Sequence, residues 1–581
     1  MKIQFHSPQH LTQSHKNQVV QILEKIAIYL ELQGANAFKI SAYRKAGAAL
    51  ENDPRSMDEI EDVTALKGIG KGTAAVISEL LETGVSSELE QLKSEVPVGL
   101  PPLLKIPGLG GKKIAKLYAE LGIDSAEALK TACEEGRVQQ LAGFAKKTEE
   151  KILKELETFG KRSETHPVWQ LEEVIRKLDT ILNTIEEIEQ FSVAGSYRRV
   201  KESSKDVDYM ISTNEAAKVK EALLEKVDAV EVIASGDTKV SVILQGDDAP
   251  NVDFRIVEPI QYATALHHFT GSKEHNVRMR QIAKDRGEKI SEYGVEQADG
   301  SVLTFESEAA FFNHFDLPFI PPTLRVGTTE FERYTDIENL VTIEDIRADL
   351  HMHTTWSDGA HTVEEMGNAL IAKGYDYAVI TDHSQYLKVA NGLTPERLIA
   401  QHEEIHAFNK KQTDFHLLRG TEMDILPDGL LDFDDEVLAN LDFVIASIHS
   451  SFSQPQEQIM ERLHNALKNP HVDMIAHPTG RVIHQRDGYN PDMEQLIAWA
   501  KQYNKILELN ANPYRLDLCV EHLEMAAKAG VPVAINTDAH AIEQLRYMDI
   551  GTKYAQKAWL YKDMIVNTWS FEKFMDFLEN R

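Results

Sequence analysis

Residues 194–211 read AGSYRRVKESSKDVDYMI. The run DVDYMI is rich in apolar and β-branched residues and is read as a strand. Side chains two apart on a strand share a face, which sets Asp206 beside Asp208. The preceding Gly195-Ser196 closes a second apolar run, SVAGS (192–196), and offers backbone N–H groups and a hydroxyl, while Arg199 adds positive charge. Further on, KVSVIL (239–244) and NVDFRIV (251–257) continue the β texture, and Asp253 can join the pair from a neighbouring strand. Three hard oxygen donors suit Mg²⁺ or Mn²⁺, ions held by carboxylates together with substrate phosphates. An Asp-x-Asp pair alone is usually a solvated strand face. The glycine-serine turn, the arginine and the third carboxylate shift the reading to a two-ion centre for nucleotidyl transfer.

The chain around this segment has 581 residues, more than one hydrophobic core accommodates, so several domains are expected. Its formal net charge of −30 excludes a surface coated uniformly for nucleic acid, although phosphate contacts depend on local patches. There is no apolar run long enough to span a bilayer, and MKIQFHSPQH has no signal-peptide core, so a cytoplasmic protein without a membrane partner is expected. Cys133 and Cys519 stand far apart in sequence and imply no disulfide framework. Any further metal site must then be built from His and carboxylates.

N-terminal to the opening segment, residues 17–50 have helical apolar spacing. LKGIGKGTAAVI (66–77) and LLKIPGLGGKKIAKLY (103–118) then repeat one pattern of apolar stretch, Gly-x-Gly hairpin and helix, with a weaker third copy in LAGFAKKTEEKI (141–152). Gly68, Gly70, Gly108 and Gly110 permit a tight turn and close approach of backbone N–H groups to a phosphate. Lys71, Lys112 and Lys113 add charge at the following helix starts. Such hairpins grip the DNA backbone without reading sequence. Residues 1–16 carry no motif.

C-terminal to it, residues 326–346 are acidic and motif-free and read as a linker. Strand-like runs then alternate with helical ones: ADLHMH, YAVITDH, HLLRGTE, DFVIASIH, VDMIAHP, KILELNA and PVAINTDAH. That alternation argues for an α/β domain with parallel strands, as a barrel or an open sheet. His351, His353, Asp358, His383, Glu422, His449, His477, Asp538 and His540 all fall at strand ends, where such folds place their sites. A lone histidine is usually a surface or satisfied core residue. Nine donors at strand ends exceed one tetrahedral ion and call for two or three divalent metals, with Zn²⁺, Mn²⁺ and Fe²⁺ all compatible.

The GS-x-RR-x-x-ESS-x-D-x-D arrangement resembles the family X DNA polymerases, and HHFTGSKEHNVRMR (267–280) extends the likeness. The resemblance implies that Asp206, Asp208 and Asp253 are the catalytic metal ligands and that Ser196 and Arg199 contact the incoming triphosphate. It implies that Phe269 and Gly271 line the sugar pocket, and that Asn276 and Arg280 probe the minor groove at the new base pair. Lys205 and His268 depart from the family's usual glycine and tyrosine. FKISAYRKA (38–46) resembles the family's N-terminal domain for downstream 5′ ends. Val76 falls where some relatives carry a Schiff-base lysine, so lyase action by that route is expected to be weak or absent.

The C-terminal motifs HMH, TDH, GTE, SIH, AHP and TDAH together resemble the PHP domain, a distorted (β/α)₇ barrel with a trinuclear site. That implies one metal on His351, His353, Glu422 and Asp538, and a second sharing Glu422 with His449 and His477. It further implies a third metal on Asp358, His383 and His540, with Arg481 and Arg515 as candidate phosphate contacts. The expected architecture is multidomain: a helical DNA-binding region over 1–95, fingers-like helices over 96–165, an α+β palm over 166–262, a thumb over 263–325, the linker, and the PHP barrel over 347–581. The expected activity is DNA-directed DNA synthesis from dNTPs on gapped or primed DNA in base excision repair, by a monomer. A PHP-domain 3′→5′ exonuclease, with His351 and His353 as catalytic residues, and abasic-site endonuclease action are implied as well. Two rivals are a PHP phosphatase on a small phosphomonoester and a non-catalytic gap-binding scaffold with vestigial metal sites.

Overall fold

A computed structural model describes residues 13–51, 57, 60, 62–104, 106, 109–158, 165–245 and 249–580. The chain divides into a first, N-terminal unit of residues 1–163 with the short segment 388–391, and a larger unit of residues 164–387 and 392–581.

The N-terminal unit is helical. Helices Gln13–Leu32, Ala37–Glu51 and Lys71–Thr83 bury Leu23, Leu30, Leu50, Ile77 and Leu80 in one cluster. Helices Gly111–Leu121, Ala126–Glu134 and Lys146–Thr158 enclose a second around Leu103, Ile114, Leu117 and Leu129. The repeat seen in the sequence is also a repeat of backbone. Ile69, Leu109 and Phe144 each donate an N–H to the carbonyl three residues earlier, at Leu66, Ile106 and Leu141, just before a helix begins. Gly68 (φ +118°) and Gly143 (φ +95°) take the left-handed turn, which a side chain would oppose.

In the larger unit a five-stranded sheet comes first, with strands β1 (Gln190–Val193), β2 (Asp206–Ser212), β3 (Ala229–Ser235), β4 (Lys239–Leu244) and β5 (Asn251–Val257). Their spatial order is β1-β2-β5-β4-β3, with β2 and β5 parallel. Val207, Tyr209 and Ile211 face a core shared with helices Val168–Leu182 and Ala216–Lys226. Period-two alternation therefore turns Asp206, Asp208 and Met210 to the opposite face. Met210 packs there under helix Tyr262–Thr270, through Tyr262, Ala265 and Leu266, leaving the carboxylates beside it. Residues 326–346, read as a linker, are folded into short helical turns, with Glu330 fully buried against His275 of helix Lys273–Asp285.

Seven parallel strands follow in sequential order: β6 (Ala348–Asp349), β7 (Tyr377–Ile380), β8 (His416–Asp424), β9 (Phe443–Ser447), β10 (Met474–Ile475), β11 (Ile506–Asn510) and β12 (Val533–Asn536). Each coincides with one of the seven strand-like runs. A parallel bridge between Met352 and Ala539, just past β6 and β12, joins the last strand to the first, and the His353 N–H donates to the Ala539 carbonyl at 2.8 Å. Tyr377, Phe443 and Ile506, at strand starts, belong to a cluster covered by helix Phe571–Glu579 through Phe574 and Leu578. One mouth of the barrel is thus plugged by apolar side chains, and chemistry is left to the other.

Candidate active sites

On the palm sheet, Asp208 of β2 lies directly opposite Asp253 of β5, and Asp206 is two residues earlier on the same face. Ser241 Oγ donates to Asp253 Oδ1 at 2.6 Å, and Lys239 Nζ lies 2.7 Å from Asp253 Oδ2. Burial, reinforced by Asp206 and Asp253, pushes the Asp208 carboxyl up to about 6. A cavity of about 420 Å³ adjoins it, lined by Gly195, Ser196, Arg199, Asp208, His268, Phe269, Gly271, Lys273, Asn276 and Arg280. All six residues expected at the nucleotide are in that lining; Lys205, by contrast, is exposed and absent from it.

The walls are fixed by the backbone. Gly271 ends helix Tyr262–Thr270 at φ +68°, ψ −155°, a conformation essentially confined to glycine. The Arg199 guanidinium donates to the Thr270 carbonyl, and Arg198 donates to Thr270 Oγ1 at 2.7 Å. Asn276 Nδ2 donates to the His268 carbonyl at 2.7 Å, tying the two helices of the wall together. Gly195 stands at φ +61°, and a Cβ there would lie 2.3 Å from Asp208 Oδ2. A left-handed L-residue costs ~1–2 kcal/mol, which the fold absorbs, whereas displacing a reacting carboxylate by about 1 Å costs roughly 10²-fold in rate. Gly195→Ala is therefore expected to cut primer extension far more than thermal stability, in paired extension and unfolding measurements.

A second expectation concerns pH. In the metal-free protein the folded value of Asp208 lies above its unfolded value, so protonation stabilises the fold at low pH. That contribution is lost as pH rises through about 6. A divalent ion removes the repulsion where the group is ionised. The Mn²⁺-induced rise in Tm attributable to this site, taken as wild type minus Asp208→Asn, should be larger near pH 7.5 than near pH 5.5. Equal shifts at the two pH values would contradict it.

At the open barrel mouth all nine expected donors converge. Glu422, 1% exposed, is the hub: Oε1 lies 2.9 Å from His477 Nε2 and 3.1 Å from His449 Nε2, and Oε2 lies 3.0 Å from His383 Nδ1 and 3.3 Å from His351 Nε2. His353 Nε2 is 3.2 Å from Asp538 Oδ1, and Asp358 Oδ1 is 3.4 Å from His540 Nε2 and 3.7 Å from His383 Nε2. Three groups have donors close enough to share an ion: His351, His353 and Asp538; His353, Asp358, His383 and His540; and His383, Glu422 and His449. They overlap the expected partition but differ from it. His353 joins two groups, and His383 rather than His477 completes the third.

The donor set fits divalent metals. His353 Nδ1 and His477 Nδ1 are buried and have no hydrogen-bond partner among the described residues. Burial opposes a proton on His351, but Glu508, Asp538 and Glu422 raise it well above the ordinary imidazole range. Burial and the neighbouring His540 and His383 push His353 down to about 3. Glu422 is also desolvated, yet His449, His351 and His383 hold it well below the usual carboxylate range. His351 therefore favours a proton where a cation fits, and metal loading there must release it.

Sequence reasoning overlooked the residues that orient these donors. Glu508 in β11 accepts from the His477 N–H at 2.7 Å and lies 2.7 Å from His351 Nδ1. Asp424 lies 3.2 Å from His449 Nδ1. Asp424 follows Glu422 by two on one strand, the same spacing that singled out Asp206 and Asp208. Arg481 requires a correction: its guanidinium is spent on Glu202 (2.9 Å) and on the carbonyls of Arg515 (3.0 Å) and Leu516, not on the cluster. Arg515 does reach the mouth, with Nε 3.7 Å from Asp538 Oδ2.

In the N-terminal unit, Gly70 and Gly110 precede helices and have no atom within 4 Å of where a Cβ would stand, so both leave room for backbone approach. Gly108 lies outside the described residues. Lys112 lines a cavity of about 300 Å³ with Ser41, Arg44 and Lys45. Val76 is buried within helix Lys71–Thr83.

A carboxylate-bearing palm, a thumb and a donor-ringed barrel define a nucleotidyltransferase core of the polymerase beta type joined to a PHP module. Family models agree: a helix-hairpin-helix domain matches residues 14–86, a SAM-like helix-hairpin-helix tandem 100–158, the DNA polymerase beta thumb 265–326 and the PHP domain 349–512. The DNA polymerase/3'-5' exonuclease PolX of Bacillus subtilis (strain 168) is 56% identical over 97% of this chain and 99% of its own length. The chain belongs to that PolX family. A probable phosphatase of Acetivibrio thermocellus is 30% identical over 40% of this chain and 95% of its own length. Another, from Thermoanaerobacter sp. (strain X514), is 28% identical over 38% and 89%.

Proposed function

We propose that this chain is a DNA-directed DNA polymerase that fills short gaps during base excision repair and trims 3′ ends with its barrel. The observation that carries the reading is that Asp208, grouped on one strand face with Asp206 and Asp253, opens on a cavity lined by Ser196, Arg199, Phe269, Gly271, Asn276 and Arg280. In that arrangement the three carboxylates hold Mg²⁺ or Mn²⁺. Ser196 and Arg199 bind the triphosphate, Phe269 and Gly271 confine the sugar, and Asn276 and Arg280 face the new base pair. The helical hairpins, through Gly68, Gly70, Gly110 and Lys112, hold the DNA backbone.

In the barrel, His351, His353, Asp358, His383, Glu422, His449, His477, Asp538 and His540 hold two or three ions of Mn²⁺, Zn²⁺ or Fe²⁺. Bound divalent ions would neutralise phosphate charge in both centres, favouring attack by the primer 3′-hydroxyl with departure of pyrophosphate at the palm and attack by water in the barrel. Glu508 and Asp424 orient His351 and His449, and Arg515 meets the phosphate. No helix among the described residues is long and apolar enough to cross a membrane.

The test is a labelled primer at a one-nucleotide gap with a 5′-phosphate, in Mn²⁺, with and without dNTPs. Extension with dNTPs and shortening without them are expected. Hydrolysis of a small phosphomonoester without either would favour the phosphatase reading that the shorter relatives' names suggest.

A further inference from the structure

The palm's nucleotide loop does not end at the polymerase centre. Beyond Arg199 it turns through Val200, a β-branched residue at φ +51° that is only 4% exposed and packs in the same apolar cluster as the barrel's outer helices. Lys557 Nζ donates to the Val200 carbonyl at 2.8 Å, and the Lys201 N–H returns to the Ser196 carbonyl at 3.1 Å. The next residue, Glu202, keeps its backbone in the palm, its carbonyl accepting from the Val168 N–H at 2.8 Å, but sends its side chain to the barrel. Its carboxylate receives both terminal nitrogens of Arg481, at 2.9 and 3.4 Å, and the Tyr554 hydroxyl. Burial disfavours the charge, but Arg481 and Tyr554 hold Glu202 below the usual carboxylate range.

Arg481 is four residues beyond the metal donor His477. Its Nε donates to the Arg515 carbonyl at 3.0 Å and a terminal nitrogen to that of Leu516. The loop it pins carries Arg515, whose Nε stands 3.7 Å from Asp538. Beside this joint Trp169 of the palm stacks on Tyr514 at 4.7 Å, the residue immediately before Arg515. From Glu202 to Arg481 and on to the 515–516 backbone the links are hydrogen bonds, with the Trp169–Tyr514 stack beside them.

We propose that Glu202 is a positioning residue for the barrel's hydrolytic centre: it anchors Arg481, which holds the 515–516 backbone and so aims Arg515 at the phosphate beside Asp538. A residue of the polymerase loop therefore sets the competence of the nuclease. The inference rests on the reading of the barrel as the 3′-end-trimming centre.

The test is a double-mutant cycle in the full chain, reading kcat and KM for shortening of a labelled single strand in Mn²⁺. Glu202→Ala is expected to lower kcat/KM about 10- to 100-fold, the usual effect of losing a partner that orients a site residue. Arg515→Ala should cost at least as much, and Glu202→Ala with Arg515→Ala no more than Arg515→Ala alone. Losses that multiply, or a Glu202→Ala enzyme of undiminished nuclease activity, overturn the proposal. Arg481→Lys keeps the charge but not the fork, and must show the same non-additivity with Arg515→Ala. It carries the test if Glu202→Ala does not fold. His353→Ala run alongside separates the two ideas. Shortening that survives His353→Ala refutes the barrel as nuclease, whatever Glu202 does.

Discussion

Asp208→Asn should abolish primer extension, by at least about 10³-fold, while leaving 3′-end shortening intact and the metal-free protein as stable as wild type or more so. The argument is electrostatic. Asp208 sits between Asp206 and Asp253, largely desolvated, and its carboxyl is pushed up to about 6 by that surrounding. Without a cation the wild-type fold bears this repulsion at neutral pH. Asn preserves the shape against Gly195 and the strand pairing with Asp253 but removes the charge, so the strain is relieved and the ability to hold metal is lost with it. A site that costs stability in return for chemistry behaves in this way. Extension assays, unfolding in chelator and the gap substrate without dNTPs supply the three readouts. Retained extension would remove the palm from the mechanism, and a large drop in Tm would refute the electrostatic account.

Much of this was legible because strand alternation is local. DVDYMI, NVDFRIV and all seven barrel runs declare their faces within a few residues, and donors at strand ends follow from the fold class. Strand β3 was missed for the converse reason: Val230, Val232 and Ile233 are all exposed at the sheet edge, so its sequence carries no in-out contrast. Glu508 was missed because attention to strand ends passes over a carboxylate in the middle of one. Arg481 was misread because its partner, Glu202, lies 279 positions away. An arginine near a histidine cluster looks the same in sequence whether it binds phosphate or another domain.

Glu422→Gln should have the opposite effect on stability and an equally severe one on the other activity. Glu422 contacts His351, His353, His383, His449 and His477 at once. Its folded value is depressed far below that of the unfolded chain, so it stabilises the metal-free fold above the ordinary carboxylate range near 4.3 and loses that contribution as pH falls. Gln removes the counter-charge from several buried imidazoles, a loss of the kind that costs about 3–5 kcal/mol when one partner of a buried pair is deleted. The metal-free variant should therefore unfold well below wild type near neutral pH, with the gap narrowing as the solution is acidified and the wild-type carboxylate protonates. Metal content by atomic emission should fall by at least one equivalent, because Glu422 is a member of one of the three donor groups and the counter-charge to histidines in the other two. Shortening of 3′ ends should drop by at least about 10³-fold, and extension at the palm should persist. The paired signs are the informative result: neutralising Asp208 relieves like charges waiting for a cation, whereas neutralising Glu422 breaks an ion-pair network in which protons already stand where cations go. If both variants shifted stability in the same direction, the two centres would not be the electrostatic opposites that their donor sets make them.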